Sequence, residues 1–425
     1  MKRIEIVNGR LINPANQFDD QADLFIADGR IIGIGKRPDG FVADEQINAS
    51  GHIVCPGLID LSARLREPGS EHKGTLESEL AAAVAGGITR LACPPDTDPT
   101  LDEPGLVRML THRARSLALA KVHPVGALTR GLHGKQLTEM AELRESGCIA
   151  FSHAEAPITD NLILFRAMQY AATFGLPLWL RPQDHSLANN GVAHDGEVAT
   201  RLGLPSIPTL AESVAISTIV ILMKETGARV HLERISSREG VEMIHAAKKY
   251  GLPLTCDVSI QHVHLSDIDI GYFDANTRLS PPLRSTRDRD ALLYGLADGT
   301  IDAIVSDHTP IDDDAKLLPF GEAEPGATAL ELLLPLTLRW ADQKHLSLGD
   351  ALAKLTTGPA AILGKDVGDI SVGNVADITV FDPAATWLVK PENLLSQGKH
   401  TPFAGMEMRG KVQCTIVDGR VIYRR

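Results

Sequence analysis

Apolar positions along this chain follow two rhythms. From Ile4 to Ile53 they alternate in short runs broken by Asn8-Gly9, Ala27-Asp28-Gly29-Arg30 and Ala49-Ser50-Gly51, a spacing that predicts short strands joined by tight turns. The C-terminal end has the same character, with Ala376 to Pro383 and Cys414 to Ile422 reading as strand, turn and strand. Chain ends of a compact protein often lie close together, so residues 1–55 and 369–425 are expected to assemble one small β-sandwich.

Between residues 56 and 368 the pattern changes. Leu76 to Ala85 predicts a helix, Gly86-Gly87 its stop, and Ile88 to Cys93 the strand that follows. The alternation returns at Leu137 to Glu145 then Ile149 to Phe151, at Leu162 to Phe174 then Leu176 to Leu180, and at Ala211 to Thr226 then Arg229 to Leu232. It continues at Val241 to Tyr250 then Leu252 to Val258, and at Arg287 to Leu296 then Ile301 to Val305. So many β-α units in one segment predict an α/β fold with a closed TIM-type (β/α)8 barrel. An open doubly wound sheet is the runner-up, but no glycine-rich phosphate loop follows the first strand. The run Leu330 to Leu338 reads as a core helix, too short to span a bilayer.

Composition narrows the function classes. With 425 residues, 44% of them hydrophobic, the chain can bury a large core, and a formal charge of -12 argues against broad attraction to nucleic acid or anionic membranes. The opening Met1-Lys2-Arg3-Ile4-Glu5 has no apolar signal region, so a cytoplasmic protein is expected. Cys55, Cys93, Cys148, Cys256 and Cys414 are scattered, and read as buried thiols rather than a disulfide framework or thiolate metal site.

In such a barrel the reactive groups sit at the C-terminal ends of the strands. The first of these ends carries Pro56-Gly57-Leu58-Ile59-Asp60-Leu61-Ser62-Ala63-Arg64-Leu65-Arg66-Glu67-Pro68-Gly69. Further on stand Ser280-Pro281-Pro282-Leu283-Arg284, Asp298-Gly299-Thr300-Ile301-Asp302-Ala303-Ile304, Ser306-Asp307-His308 and Thr401-Pro402-Phe403. Together and in this order they resemble the dihydroorotases, zinc enzymes of the amidohydrolase superfamily that open and close the dihydroorotate ring.

The resemblance implies two metal-binding histidines one residue apart on the first strand, where this chain has Ser62 and Arg64. It implies an aspartate at His153, and histidines at Arg181 and Arg234. Serine is a poor zinc ligand, and arginine has no lone pair to donate. Of the implied ligands only Asp307 is unchanged, so zinc is expected to be absent, and the arginines are expected to pair with Asp307, Glu233 or a bound anion. Arg66 matches the implied substrate-carboxylate arginine, whereas Asp96 and Ser280 stand where the family has asparagines.

Simpler readings stand beside these. Asp307 and His308 are either the vestige of a reactive pair or structural residues, and Arg66 binds an anion or pairs with Glu67 or Asp60. Gln261-His262-Val263-His264, read on a strand, offers a displaced metal site with His153 or His185. The expectation is a non-catalytic dihydroorotase-like chain, a structural subunit in a complex with the aspartate transcarbamoylase catalytic chain, a partner that only the resemblance implies. The alternative is a divergent cyclic-amide hydrolase whose metal site is relocated or absent.

Overall fold

The computed structural model describes residues 2–365 and 367–425; Met1, part of the opening read above, and Asp366 lie outside the described residues. Eight parallel strands form the barrel. They are β1 (Leu58–Asp60), β2 (Ile88–Cys93), β3 (Lys121–Ala127), β4 (Ala150–Ser152), β5 (Leu178–Leu180), β6 (Val230–Leu232), β7 (Leu254–Ser259) and β8 (Ala303–Val305), each paired with its neighbour in sequence.

β1 and β8 do not share a ladder, and the seam between them closes just beyond their ends. There Arg64 N donates to His308 O at 2.8 Å and His308 N donates to Ser62 O at 3.1 Å. The Asp60 carboxylate, at the end of β1, accepts from Ser306 N at 3.0 Å and from the Ser306 hydroxyl. Burial pushes its pKa up to about 6 against the pull of these bonds. A buried carboxylate thus fastens the two strand ends on which the site is built.

The strands are apolar on both faces because helices cover the barrel outside while side chains fill it inside; every residue of β2 is buried. The helix Leu76–Ala85 starts at Thr75, whose hydroxyl accepts from Ser78 N at 3.2 Å in a capping box. It stops because Gly87 takes φ +82°, and because a Cβ at Gly86 would meet Leu330 O at 2.3 Å. The apolar run around Leu330 is core, with the helix Leu333–Lys344 buried all round from Leu333 to Leu338. All five cysteines are buried free thiols.

A strand of the barrel and the helix before it are among the elements that escaped the sequence pattern. β3 contains Pro124 and Gly126, which mask a strand in sequence, and the helix Pro104–Leu117 before it is amphipathic, burying Val107, Leu110 and Ala114. The helix Arg238–Lys249 begins three residues before the predicted Val241, because its first turn is polar and is signalled only by Ser237, whose Oγ accepts from Gly240 N at 3.1 Å.

Strands from both chain ends form the flanking sheets. Ile53–Pro56 pairs antiparallel with Ile378–Phe381, and Arg10-Leu11 pairs parallel with Ile53-Val54. Ile4, Ile26, Val54, Val380 and Ile416 share one core between the sheets. Among the described residues no helix is long and apolar enough to cross a membrane.

Candidate functional site

At the C-terminal ends of the strands, three arginines from three different turns meet two carboxylates. Arg64 follows β1, Arg181 follows β5 and Arg234 follows β6; Glu155 lies beyond β4 and Asp307 beyond β8. Arg234 Nη1 lies 2.6 Å from Glu155 Oε1 and 3.2 Å from Asp307 Oδ1. Arg64 Nη2 reaches Glu155 Oε1 at 3.2 Å, its Nη1 stands 3.8 Å from Asp307 Oδ1, and its Nε donates to Asp96 Oδ2 at 2.8 Å. Arg181 pairs with Glu155 Oε2 and donates to Gln183 Oε1 at 2.7 Å.

Backbone shape aims these groups. Arg66, Ala154, Arg234 and Asp307 all have positive φ, between +48° and +63°, at the turns leaving β1, β4, β6 and β8. Non-glycine residues hold this conformation only where surrounding structure enforces it. Arg234 N donates to Asp257 Oδ1 at 2.7 Å, which fixes that turn from inside the barrel.

Charge balance follows from the same contacts. Burial pushes the Glu155 carboxyl up, but Arg181, Arg234 and Arg64 outweigh it and hold Glu155 well below the usual carboxylate range. For Asp307 the balance reverses: burial dominates, and its carboxyl is raised although Arg234 and Arg64 pull it down. Arg234 is only 3% exposed and is held charged by Glu155, Asp307 and Glu233 against the cost of burial; its Nε has no partner among the described residues. The cluster borders a cavity of about 210 Å³ that Arg66, Asp96, Ser280 and Glu324 also line.

This donor set does not fit a dication. Arginines occupy three of the positions where the resemblance implies ligands, and Ser62 offers only a hydroxyl. His153 donates from one ring nitrogen to a carbonyl, with Nδ1 3.2 Å from Ala156 O, so its other nitrogen accepts from the Thr129 hydroxyl at 3.2 Å. Its lone pair is used, and burial pushes its pKa down to about 4. Among the described residues no three His, Cys, Asp or Glu side chains gather as a metal site.

Other sequence candidates fall elsewhere. His308 turns away from Asp307: its Nε2 lies 2.7 Å from Glu79 Oε2 and its Nδ1 accepts from Ala329 N at 3.2 Å, wholly buried. Arg66 does not pair with Glu67 or Asp60; its Nε donates to Pro310 O at 2.9 Å, with Glu324 3.9 Å away. Glu233 accepts from the Ser152 hydroxyl at 2.9 Å inside the barrel. The His262-x-His264 reading is corrected as well, because Ile260–His264 is helical and successive side chains there turn by about 100°. His262 bonds Ser259 and Pro282, and His264 bonds Leu336 O. Glu155 was missed because it lies three residues past the strand end in no motif. The signal available was three buried arginines requiring carboxylates.

A family model described as "Dihydro-orotase-like" matches residues 51–240, and one described as "Amidohydrolase family" matches residues 229–423. A "Dihydroorotase-like protein" of Pseudomonas putida is 44% identical over 420 residues, covering 99% of both chains. A "Dihydroorotase" of Syntrophotalea carbinolica is 42% identical over 423 residues, again 99% of both. The structure of L-hydantoinase from Arthrobacter aurescens superposes with a TM-score of 0.90 at 24% identity, covering 100% of this chain and 96% of that one, a likeness of fold.

These relatives overturn one expectation. A chain that is not an enzyme was expected from the altered ligand positions, yet full-length relatives at 38–42% identity carry the name dihydroorotase. Altered ligands in one barrel do not outweigh likeness over nearly the whole chain to proteins named as enzymes. The chain belongs to the dihydroorotase-like family of amidohydrolases.

Proposed function

We propose that this protein is a divergent hydrolase of a cyclic amide, working with an arginine–carboxylate centre where the zinc enzymes it resembles hold a metal. The observation that carries the reading is the convergence of Arg64, Arg181 and Arg234 on Glu155 and Asp307 beside a cavity at the C-terminal face of the barrel.

A guanidinium facing the cavity stabilises negative charge developing on an amide oxygen. Arg64 and Arg234 both line the cavity. Asp307, raised by burial, suits the role of general base. In the proposed step it takes a proton from water as the water oxygen bonds to the ring carbonyl carbon. The proton then passes to the ring nitrogen as the C–N bond breaks, so no charge is left over. Arg66, also at the cavity, suits an anionic substituent on the ring.

Turnover of dihydroorotate, hydantoin and dihydrouracil, followed by product chromatography, tests the reading. The rate is expected to rise with pH as Asp307 loses its proton, and Asp307→Asn is expected to lower kcat by about 10²-fold or more. Turnover of none of the three counts against it. Association with an aspartate transcarbamoylase catalytic chain is a second part of the proposal. It rests on the resemblance, and copurification from native cells tests it.

A further inference from the structure

A second cavity, of about 1000 Å³, lies at the opposite end of the barrel, where the N-terminal parts of β2 and β3 meet the β-sandwich. Seven lysine and arginine side chains line it against only Asp28 and Asp418, in a chain whose formal charge is -12. Structural pairing accounts for few of these cations. Asp377 holds Arg90 at 2.7 Å and Lys121 at 3.0 Å, and Asp418 holds Lys121 at 2.5 Å. Among the described residues Arg30 meets the Gly373 carbonyl at 2.7 Å and Arg108 only the Ser146 hydroxyl at 3.4 Å. Arg115 and Arg420 have no carboxylate partner among the described residues.

Two polar atoms on the wall are buried without partners among the described residues, Arg90 Nε and His123 Nε2, and Arg90 is only 8% exposed. A buried donor left unpaired is costly, and here the Arg90 charge adds to the positive field that the other cations set up on this wall. His123 reports the same field. Burial pushes its pKa down to about 3, and Lys365, Arg90 and Lys121 push in the same direction.

We propose that this cavity binds a polyphosphate-bearing small molecule of the nucleotide class. The charges stand on both walls, Arg90, Arg108 and Arg115 on the barrel and Arg30 and Arg420 on the sandwich, so several anionic groups are needed to meet them. Ala114, Leu119 and Ile422 supply an apolar surface for the uncharged part of the ligand, and the volume is that of a small-molecule site. A bound polyphosphate would tie the sandwich to the barrel.

Calorimetric titration of the full chain with ATP, tripolyphosphate and adenosine, at an ionic strength of about 0.15 M, tests this. Saturable 1:1 binding is expected for ATP and tripolyphosphate and not for adenosine. The double reversal Arg115→Glu/Arg420→Glu, at exposed positions, is expected to weaken ATP binding about tenfold or more. The charge-matched control Arg238→Glu/Arg409→Glu, elsewhere on the surface, is expected to bind as the unaltered protein does. If the first reversal disturbs folding, Arg115→Gln/Arg420→Gln decides, with a smaller loss in the same direction. No saturable binding of ATP or tripolyphosphate, equal loss in both reversal pairs, or unchanged affinity in the Arg115 and Arg420 variants overturns the proposal.

Discussion

Arg234 Nη1 stands 3.2 Å from Asp307 Oδ1, and both side chains are nearly closed to solvent. The same nitrogen holds Glu155, so two carboxylates share one buried cation. Arg234→Met keeps the bulk of the side chain and removes its charge. It should lower the unfolding free energy by about 3 kcal/mol or more, measured by urea denaturation, because it leaves the buried Asp307 with only Arg64 at 3.8 Å among the described residues and takes one of the three arginines from Glu155.

Glu155 should contribute to the acid limb of stability. Its folded pKa is depressed, so the stability it contributes is complete above the ordinary carboxylate value and is lost as pH falls through that value toward the lower folded one. Thermal midpoints recorded from about pH 6 to about pH 3 should therefore fall less steeply in Glu155→Gln than in the unaltered protein. Equal slopes would show that the arginines do not hold this carboxylate. Asp307 acts in the opposite sense: its raised pKa means its ionisation alone costs stability as pH rises.

His308 is assigned a structural role by its contacts. It links the end of β8 to Glu79 of the helix Leu76–Ala85, and Glu79 also accepts from the Ser396 hydroxyl at 2.6 Å and from Gln397 N at 3.0 Å. His308→Ala should cost about 3 kcal/mol in denaturant unfolding while leaving kcat/KM per folded molecule unchanged. A selective fall in kcat with stability intact would place His308 in the chemistry instead.

The loop that carries Arg66 depends on Gly69. This residue has φ +97°, and a Cβ there would meet Asp98 O at 2.1 Å. Gly69→Ala should therefore destabilise the protein by about 2 kcal/mol or more, and should raise KM for an anionic cyclic amide by displacing Arg66 and Asp96. Equal KM in the two proteins would separate this loop from substrate binding.

Much of this fold is legible in the sequence where pattern and punctuation agree. Leu76–Ala85 followed by Ile88–Cys93 is bounded by a capping threonine and two glycines, and both elements fall where the pattern places them. β3 is not legible, because Pro124 and Gly126 hide a strand whose inward-facing residues pack inside the barrel. The site divides in the same way. Ser62, Arg64, Arg181, Arg234 and Asp307 are found from motifs on strand ends, whereas Glu155 is set by a turn that only the folded barrel brings inward. Period-two geometry misplaced His262 and His264, since a short helix follows β7 directly.

Metal content and turnover measured together on the same sample test the central claim most directly. Protein purified without chelator, then assayed with dihydroorotate before and after chelation, is predicted to hold far less than one zinc per chain. Its turnover should survive chelation and disappear in Asp307→Asn. One zinc per chain with turnover abolished by chelation, or no turnover of any cyclic amide, would contradict the account.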